Sequence, residues 1–181
     1  IVEAGNVVEV NGQFQIPSPY LSASLVSSLS GQSLPGGGTR EVLAYVNASV
    51  TDAARAYWDP AWTANGDDNP AGGTNAPTGV APPWLQNAAG EASGFGFITD
   101  FGDAAWRQIV VDQAVTLVDF GYDGIFLDDV GRYDEVSRAG YGVSEAAEDM
   151  MRHVVAVAEA VASATGLSQT QLRVVINSDS Y

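Results

Sequence analysis

A chain of 181 residues with 46% hydrophobic side chains is sized for one domain with a real core, which excludes global disorder. Its charge is lopsided: 22 acidic residues stand against 7 basic ones, all Arg, for a formal net charge of −15. Such a surface repels nucleic acid and anionic membranes and suits a cationic ligand such as a polymer of free amino sugars, although a solubility or salt adaptation is the plainer cause. There is no Cys, which removes disulfides, thiolate nucleophiles and Cys-bound zinc. No apolar run approaches the roughly 18 residues of a membrane helix, and no charged-then-apolar leader opens the chain at Ile1.

Residues 1–40 read as a lead-in. Val7 to Ile16 alternate around Asn11-Gly12, a hairpin signal. Ser22 to Leu29 suits a short helix, and Pro35-Gly36-Gly37-Gly38 a loop. Residues 41–181 then repeat strand, loop or helix. Val42-Leu43-Ala44-Tyr45-Val46 is a short apolar run of the buried-strand type. Residues 59–94 are rich in Gly, Pro, Asn and Asp and too long for an ordinary connection, so they read as a ligand-facing loop. Phe95 to Thr99 is the second strand. Asp103 caps a helix with apolar residues at Trp106, Ile109, Val110, Ala114, Leu117 and Val118, closed by Gly121. Gly124 to Leu127 is the third strand. Ser144 caps the next helix, with Met151, Val154, Val155, Ala158, Val161 and Ala162 as its core face and Gly166 as its stop. Leu172 to Asn177 is the fourth strand.

This alternation predicts an α/β fold, a parallel sheet wrapped by helices; a doubly wound sheet and a (β/α)₈ barrel both fit. No Gly-x-Gly-x-x-Gly follows a strand, so no dinucleotide site is signalled. Each strand ends in a polar residue, in turn Asn47, Asp100, Asp128 and Asn177. In a barrel such ends line the active site.

The sharpest segment is Gly121-Tyr122-Asp123-Gly124-Ile125-Phe126-Leu127-Asp128-Asp129-Val130, an apolar strand delivering a carboxylate to its rim. Glycosidic cleavage needs one carboxylic acid to protonate the leaving oxygen and a carboxylate as nucleophile or base. Asp128 suits one of these roles, with Asp123 and Asp129 as neighbours that oppose its ionisation. The plainer reading is a turn cap or an Arg partner. Asp100 is a sugar-hydroxyl acceptor, an orienter of Asp128, or a helix-entry residue. Asn47 and Asn177 suit hydrogen bonds to sugar hydroxyls, though each alone is more often a turn residue. Tyr45, Tyr57, Trp58, Trp62, Trp84 and Tyr133 lie in rim segments where sugar rings could stack; alternatively Trp58 and Trp84 form a small core under the long loop. Trp106 is packing. Asp129 is structural or a rim contact. His153 reads as a surface residue far from any strand end, and neither a Ser–His–Asp arrangement nor a His-based metal site can be built from it. Asp67-Asp68-Asn69 lacks the spacing of an EF-hand and reads as a solvated turn.

Tyr45-Val46-Asn47, Arg55-x-Tyr57-Trp58, Pro83-Trp84-Leu85, Asp100-Phe101-x-Asp103-x-x-Trp106 and Gly121 through Asp128-x-Val130-x-x-Tyr133, closing with Val175-Ile176-Asn177, together form a pattern. It resembles the endo-α-1,4-polygalactosaminidase family, glycoside hydrolase family 114, over about residues 42–179. The resemblance implies a (β/α)₈ TIM-barrel fold, hydrolysis of α-1,4-linked galactosamine polymers and a catalytic carboxylate at Asp128. It also implies a secreted or periplasmic bacterial setting and no metal or organic cofactor. Where the family commonly has Gly-Glu after the first strand this chain has Ser49-Val50, and Val130-Gly131 stands where the family has Val-Asp. The family's second catalytic residue, a Glu, lies on a later strand. The expectation is therefore a partial barrel, either a fragment of a longer protein or a shortened relative without catalysis, with Asp179 the one nearby acidic residue able to substitute.

Three functions follow: a glycosidase acting on an amino-sugar polymer, a non-catalytic carbohydrate-binding module on the same scaffold, and a structural or interaction domain. A second carboxyl near Asp128 separates the first two. Open sheet edges call for self-association or an adjoining domain.

Overall fold

The computed structural model describes residues 8–10, 13–15, 22–66, 76–86, 90–91, 96–135, 142–168 and 170–178. The expected hairpin forms: β1 (Val8–Val10) runs antiparallel to β2 (Gln13–Gln15) with Val10 opposite Gln13. Its linking Asn11 and Gly12 lie outside the described residues, as do Asp67-Asp68-Asn69 and Asp179. Helix α1 (Ala23–Leu29) starts where Ser22 accepts a hydrogen bond from the Leu25 N–H at 3.2 Å, which satisfies one orphan donor of the first turn.

The chain then enters β3 (Leu43–Asn47), turns at Ala48-Ser49 and continues as β4 (Val50–Thr51). After a 3₁₀ turn at Pro60–Trp62 come α2 (Pro83–Gln86), β5 (Gly90–Glu91) and β6 (Phe97–Ile98). Helix α3 (Ala104–Phe120) is capped by Asp103, whose Oδ1 accepts from Ala105 N–H at 2.7 Å, and stops at Gly121, whose φ of +116° suits glycine. Next follow β7 (Gly124–Asp128), a 3₁₀ stretch at Val130–Glu135, α4 (Val143–Thr165) and β8 (Arg173–Ile176).

The fold is α/β, built on a three-stranded parallel sheet in the order β3–β7–β8. Its register sets Asn47 beside Asp128 and Leu127 beside Ile176. Ala44, Ile125 and Leu127 are fully buried, as buried parallel strands require. At the start of β7, Asp123 accepts from the Val42 N–H at 2.8 Å and from the Ser30 hydroxyl at 2.6 Å. It therefore ties the lead-in to the sheet from the far end of the strand, roughly 16 Å from Asp128 at strand rise. The expected influence of Asp123 on Asp128 is corrected by that distance.

Four other expectations are corrected. The second strand stays out of the parallel sheet: β6 pairs antiparallel with β4 and β5 instead. Gly96 explains the break, because it sits at φ +106° and a Cβ there would meet the Thr51 carbonyl oxygen at 2.0 Å. Helix α4 begins two residues earlier, with Gly142 as its cap in place of Ser144. Its buried stripe runs through Ala146, Met150, His153, Val154, Val157 and Val161, whereas Met151 and Val155 are 49% and 50% exposed. His153 thus lies wholly inside the protein, not on its surface.

Candidate functional site

The C-terminal ends of β3 and β7 and the residues after β8 bring Tyr45, Asn47, Asp128, Asp129 and Asn177 together. Asp128 is half-buried. Its Oδ1 accepts two hydrogen bonds, from Asn177 Nδ2 at 2.8 Å and from the Asp129 backbone N–H at 2.9 Å. The Asn177 backbone is fixed in turn: its N–H donates to the Leu127 carbonyl at 2.8 Å and its carbonyl accepts from Val130 N–H at 3.1 Å. Asn177 continues the ladder past β8, and this carries its side chain to Asp128.

Asn47 also sits beside Asp128 but its side chain serves the backbone. Its Oδ1 accepts from the N–H groups of Ser49 and Val50 at 3.1 and 2.7 Å, which shapes the turn from β3 into β4. Its Nδ2 donates to Asp129 Oδ2. Tyr45, two residues earlier on the same face, directs its hydroxyl to Asp128 and Asn47. Burial, reinforced by the charge of Asp128, pushes the Tyr45 phenol well above its usual pKa, so it remains a proton donor across the working range. Its ring lies against Phe126 at a centroid distance of 6.4 Å.

Asp129 has φ +58°. Its two carboxylate oxygens are taken, Oδ2 by Asn47 and Oδ1 by Arg132 Nε at 3.0 Å. Its carbonyl accepts from the Ser49 hydroxyl at 2.7 Å. Asp129 is thus a carboxylate beside Asp128 whose charge is already matched by a guanidinium, with both side chains less than one-fifth exposed.

The remaining candidates make other contacts. Asp100 turns the chain into α3: its Oδ1 accepts from Gly102 N–H at 3.1 Å and its carbonyl from Asp103 N–H. Trp84 is 2% exposed and Trp58 9%, so the expectation of open stacking faces is corrected for both. They join an aromatic cluster under the long loop, where Trp84 meets Trp62 edge-on at 5.4 Å and Trp106 at 5.1 Å, and Trp58 stacks on Phe97 at 6.2 Å. Tyr57 belongs to the same cluster. Tyr133 packs half-buried against the core from the 3₁₀ stretch after β7.

Two site contributors were outside the sequence reading. Arg132 has no strand-end position to flag it, although a lone Arg three residues after Asp129 in an acidic chain was a usable signal. Ser49 was noted only as a departure from Gly-Glu. His153 is buried, and burial together with the Arg107 charge lowers its pKa to about 4. Among the described residues, no group of three or more His, Cys, Asp or Glu could hold a metal ion. None of their helices is long and apolar enough to cross a membrane.

No family model matches the chain. Among curated proteins it is similar to an uncharacterized protein of Methanocaldococcus jannaschii, 22% identical over 115 residues, which cover 64% of this chain and 29% of that one. It is also similar to an uncharacterized protein of Deinococcus radiodurans, 26% identical over 94 residues, covering 52% and 25% of the two chains. The matched part thus spans less than a third of either relative. Among solved structures it is similar to the glycoside hydrolase domain of PelA from Pseudomonas aeruginosa, with a TM-score of 0.45 and 16% identity over 87% of this chain and 49% of that one. A variant of the same domain gives a TM-score of 0.46 and 17% identity, with the same coverage.

Proposed function

We propose that this chain is a glycoside hydrolase-like domain, part of a (β/α)₈-type barrel, with Asp128 as a reacting carboxylate and an α-1,4-linked galactosamine polymer as substrate. One observation carries the reading: Asp128 stands half-buried at the C-terminal end of the central parallel strand, with Oδ1 held by Asn177 and the Asp129 N–H. A carboxylate fixed through one oxygen offers the other in a defined direction, which nucleophilic or general-base attack at an anomeric carbon requires. The Tyr45 hydroxyl beside it supplies a neutral hydrogen-bond donor for the carboxylate or a sugar oxygen. A net charge of −15 attracts a polycationic amino-sugar chain and raises its encounter rate at low salt. In this reading Asn47 shapes the cleft wall through Ser49 and Val50, Asp100 and Tyr133 belong to its rim, and Asp179 is the acidic residue to examine as acid partner. A secreted or periplasmic setting goes with such a substrate.

The test compares reducing-end release from de-N-acetylated galactosamine polymer by the chain and by its Asp128→Asn variant. Release by the parent, with a loss of at least about 10²-fold in the variant, supports the reading. Absence of release by the parent overturns it.

A second reading is favoured by Asp129. Its carboxylate is committed to Asn47 and Arg132, so it is no free acid partner to Asp128. A binding module that grips the polymer without cleaving it needs no such partner. Calorimetric binding without reducing-end release would select it.

A further inference from the structure

Among the described residues, Asp129 is the one non-glycine at positive φ, at +58°. Asp tolerates that region better than most residues, yet the conformation is sparsely populated and persists where surrounding contacts over-determine it. Here they come from three segments. The end of β3 gives Asn47 Nδ2 to one carboxylate oxygen. The 3₁₀ stretch after β7 gives Arg132 Nε to the other at 3.0 Å. The turn after β3 gives the Ser49 hydroxyl to the carbonyl at 2.7 Å. The left-handed backbone then aims the Asp129 N–H at Oδ1 of its own neighbour, Asp128, at 2.9 Å.

We propose that Asp129 is the positioning residue of the site: the grip of Asn47 and Arg132 on its carboxylate holds a left-handed turn whose N–H locks Asp128. This rests on the reading of Asp128 as the reacting carboxylate. Both locking contacts fall on Oδ1, the second from Asn177 Nδ2 at 2.8 Å, so Oδ2 carries neither of them. Arg132 has a further consequence. It matches the Asp129 charge, so the carboxylate adjacent to Asp128 is a paired one. Asp129 touches no reacting atom; it acts through Asp128.

The test uses three variants of the whole chain and two readouts. Asp129→Ala removes the carboxylate and disfavours the left-handed turn. Asp129→Gly removes the carboxylate but accepts φ +58° freely, so it folds even where the alanine variant does not. Asp129→Asn tolerates the turn and keeps an acceptor for Arg132. The first readout, independent of activity, is amide exchange in the ¹⁵N-labelled protein at the residue-129 N–H and the Asn177 side chain. The expected result is exchange faster by about tenfold or more in the Ala and Gly variants and within about threefold of the parent in the Asn variant. The second is turnover of the galactosamine polymer. Here kcat falls by about 10- to 100-fold for Ala and Gly, KM stays within about twofold, and Asn recovers most of the loss. Parent-like exchange in the glycine variant overturns the positioning role, because the turn is then held without the carboxylate. If exchange follows the expected order while the parent releases no sugar, the positioning role stands and the hydrolase reading falls.

Discussion

His153 is fully buried, and neither ring nitrogen has a hydrogen-bonding partner among the described residues. Burial is the main reason its pKa falls to about 4, and the Arg107 charge adds to it; the Ala48 carbonyl favours the protonated ring without forming a well-aligned hydrogen bond. The sign follows. The folded ring is neutral where the unfolded ring, with its ordinary pKa near 6.5, takes up a proton. Stability from this group is therefore complete above pH about 6.5 and is lost as pH falls toward 4, by up to about 3 kcal/mol. A His153→Leu variant has no such proton uptake. Chemical denaturation at pH 7 and pH 4.5 should show the parent losing on the order of 2 kcal/mol more than the variant, and equal losses would refute the argument. Its place beside Arg152 pointed to the surface, and the spacing Ala146, Met150, His153, Val157 that sets it on the inner stripe was missed. Asp128 and Asn177 were legible, because strand ends that follow apolar runs come together when the strands pair in parallel. Asp129 was read as structural or a rim contact, but its left-handed turn and its pairing with Arg132 were not legible, since neither residue's identity dictates that conformation.

Strand pairing is where elements were read well and topology less so. Apolar runs and helix stops located β3, α3, β7, α4 and β8, with Gly121 and Gly166 both left-handed at the helix ends. An apolar run does not say which partner it takes, however, and β6 joins β4 and β5 because Gly96 breaks it to two residues. Gly124 shows how tightly the parallel pairs are built. A Cβ on it would meet the Arg173 carbonyl oxygen at 2.1 Å and the Arg173 Cβ at 2.7 Å. Backbone cannot retreat as a flexible side chain can, so Gly124→Ala must separate β7 from β8 at their N-terminal ends. The expected cost is about 2–3 kcal/mol, of the kind seen for overpacked cores. Urea titration of the variant should show a lower midpoint, and Arg173 amide exchange should rise selectively over that of Leu43 on the other side of β7. A midpoint equal to the parent's would mean that the sheet relaxes at no cost.

At the scale of the whole molecule two properties oppose each other. Strand β8 is an edge of the parallel sheet, with Val175 and Ile176 42% and 39% exposed. Helix α4 sets the half-exposed Val155 in one cavity lining with Leu172 and Val174, and half-exposed Met151 lies one turn earlier on the same helix. Parallel sheets are ordinarily covered on both faces, and an open apolar edge invites another strand. Against this stands the net charge of −15, which two copies would have to bring together. Repulsion of that kind is long-ranged and screened by salt, with a Debye length of about 30 Å at 0.01 M and about 3 Å at 1 M, whereas apolar contact is short-ranged and hardly screened. Association is therefore expected to rise with ionic strength, the reverse of an assembly held by ion pairs. Sedimentation velocity should find monomer in dilute buffer and a concentration-dependent larger species in 1 M salt. The paired change Val155→Gln and Ile176→Lys acts on side chains already about half in water, so it should cost less than about 1 kcal/mol of stability. The same change should keep the protein monomeric in high salt. If the variant still associates, the contact lies on another face; if the parent dissociates as salt rises, charge pairing and not the open edge drives it.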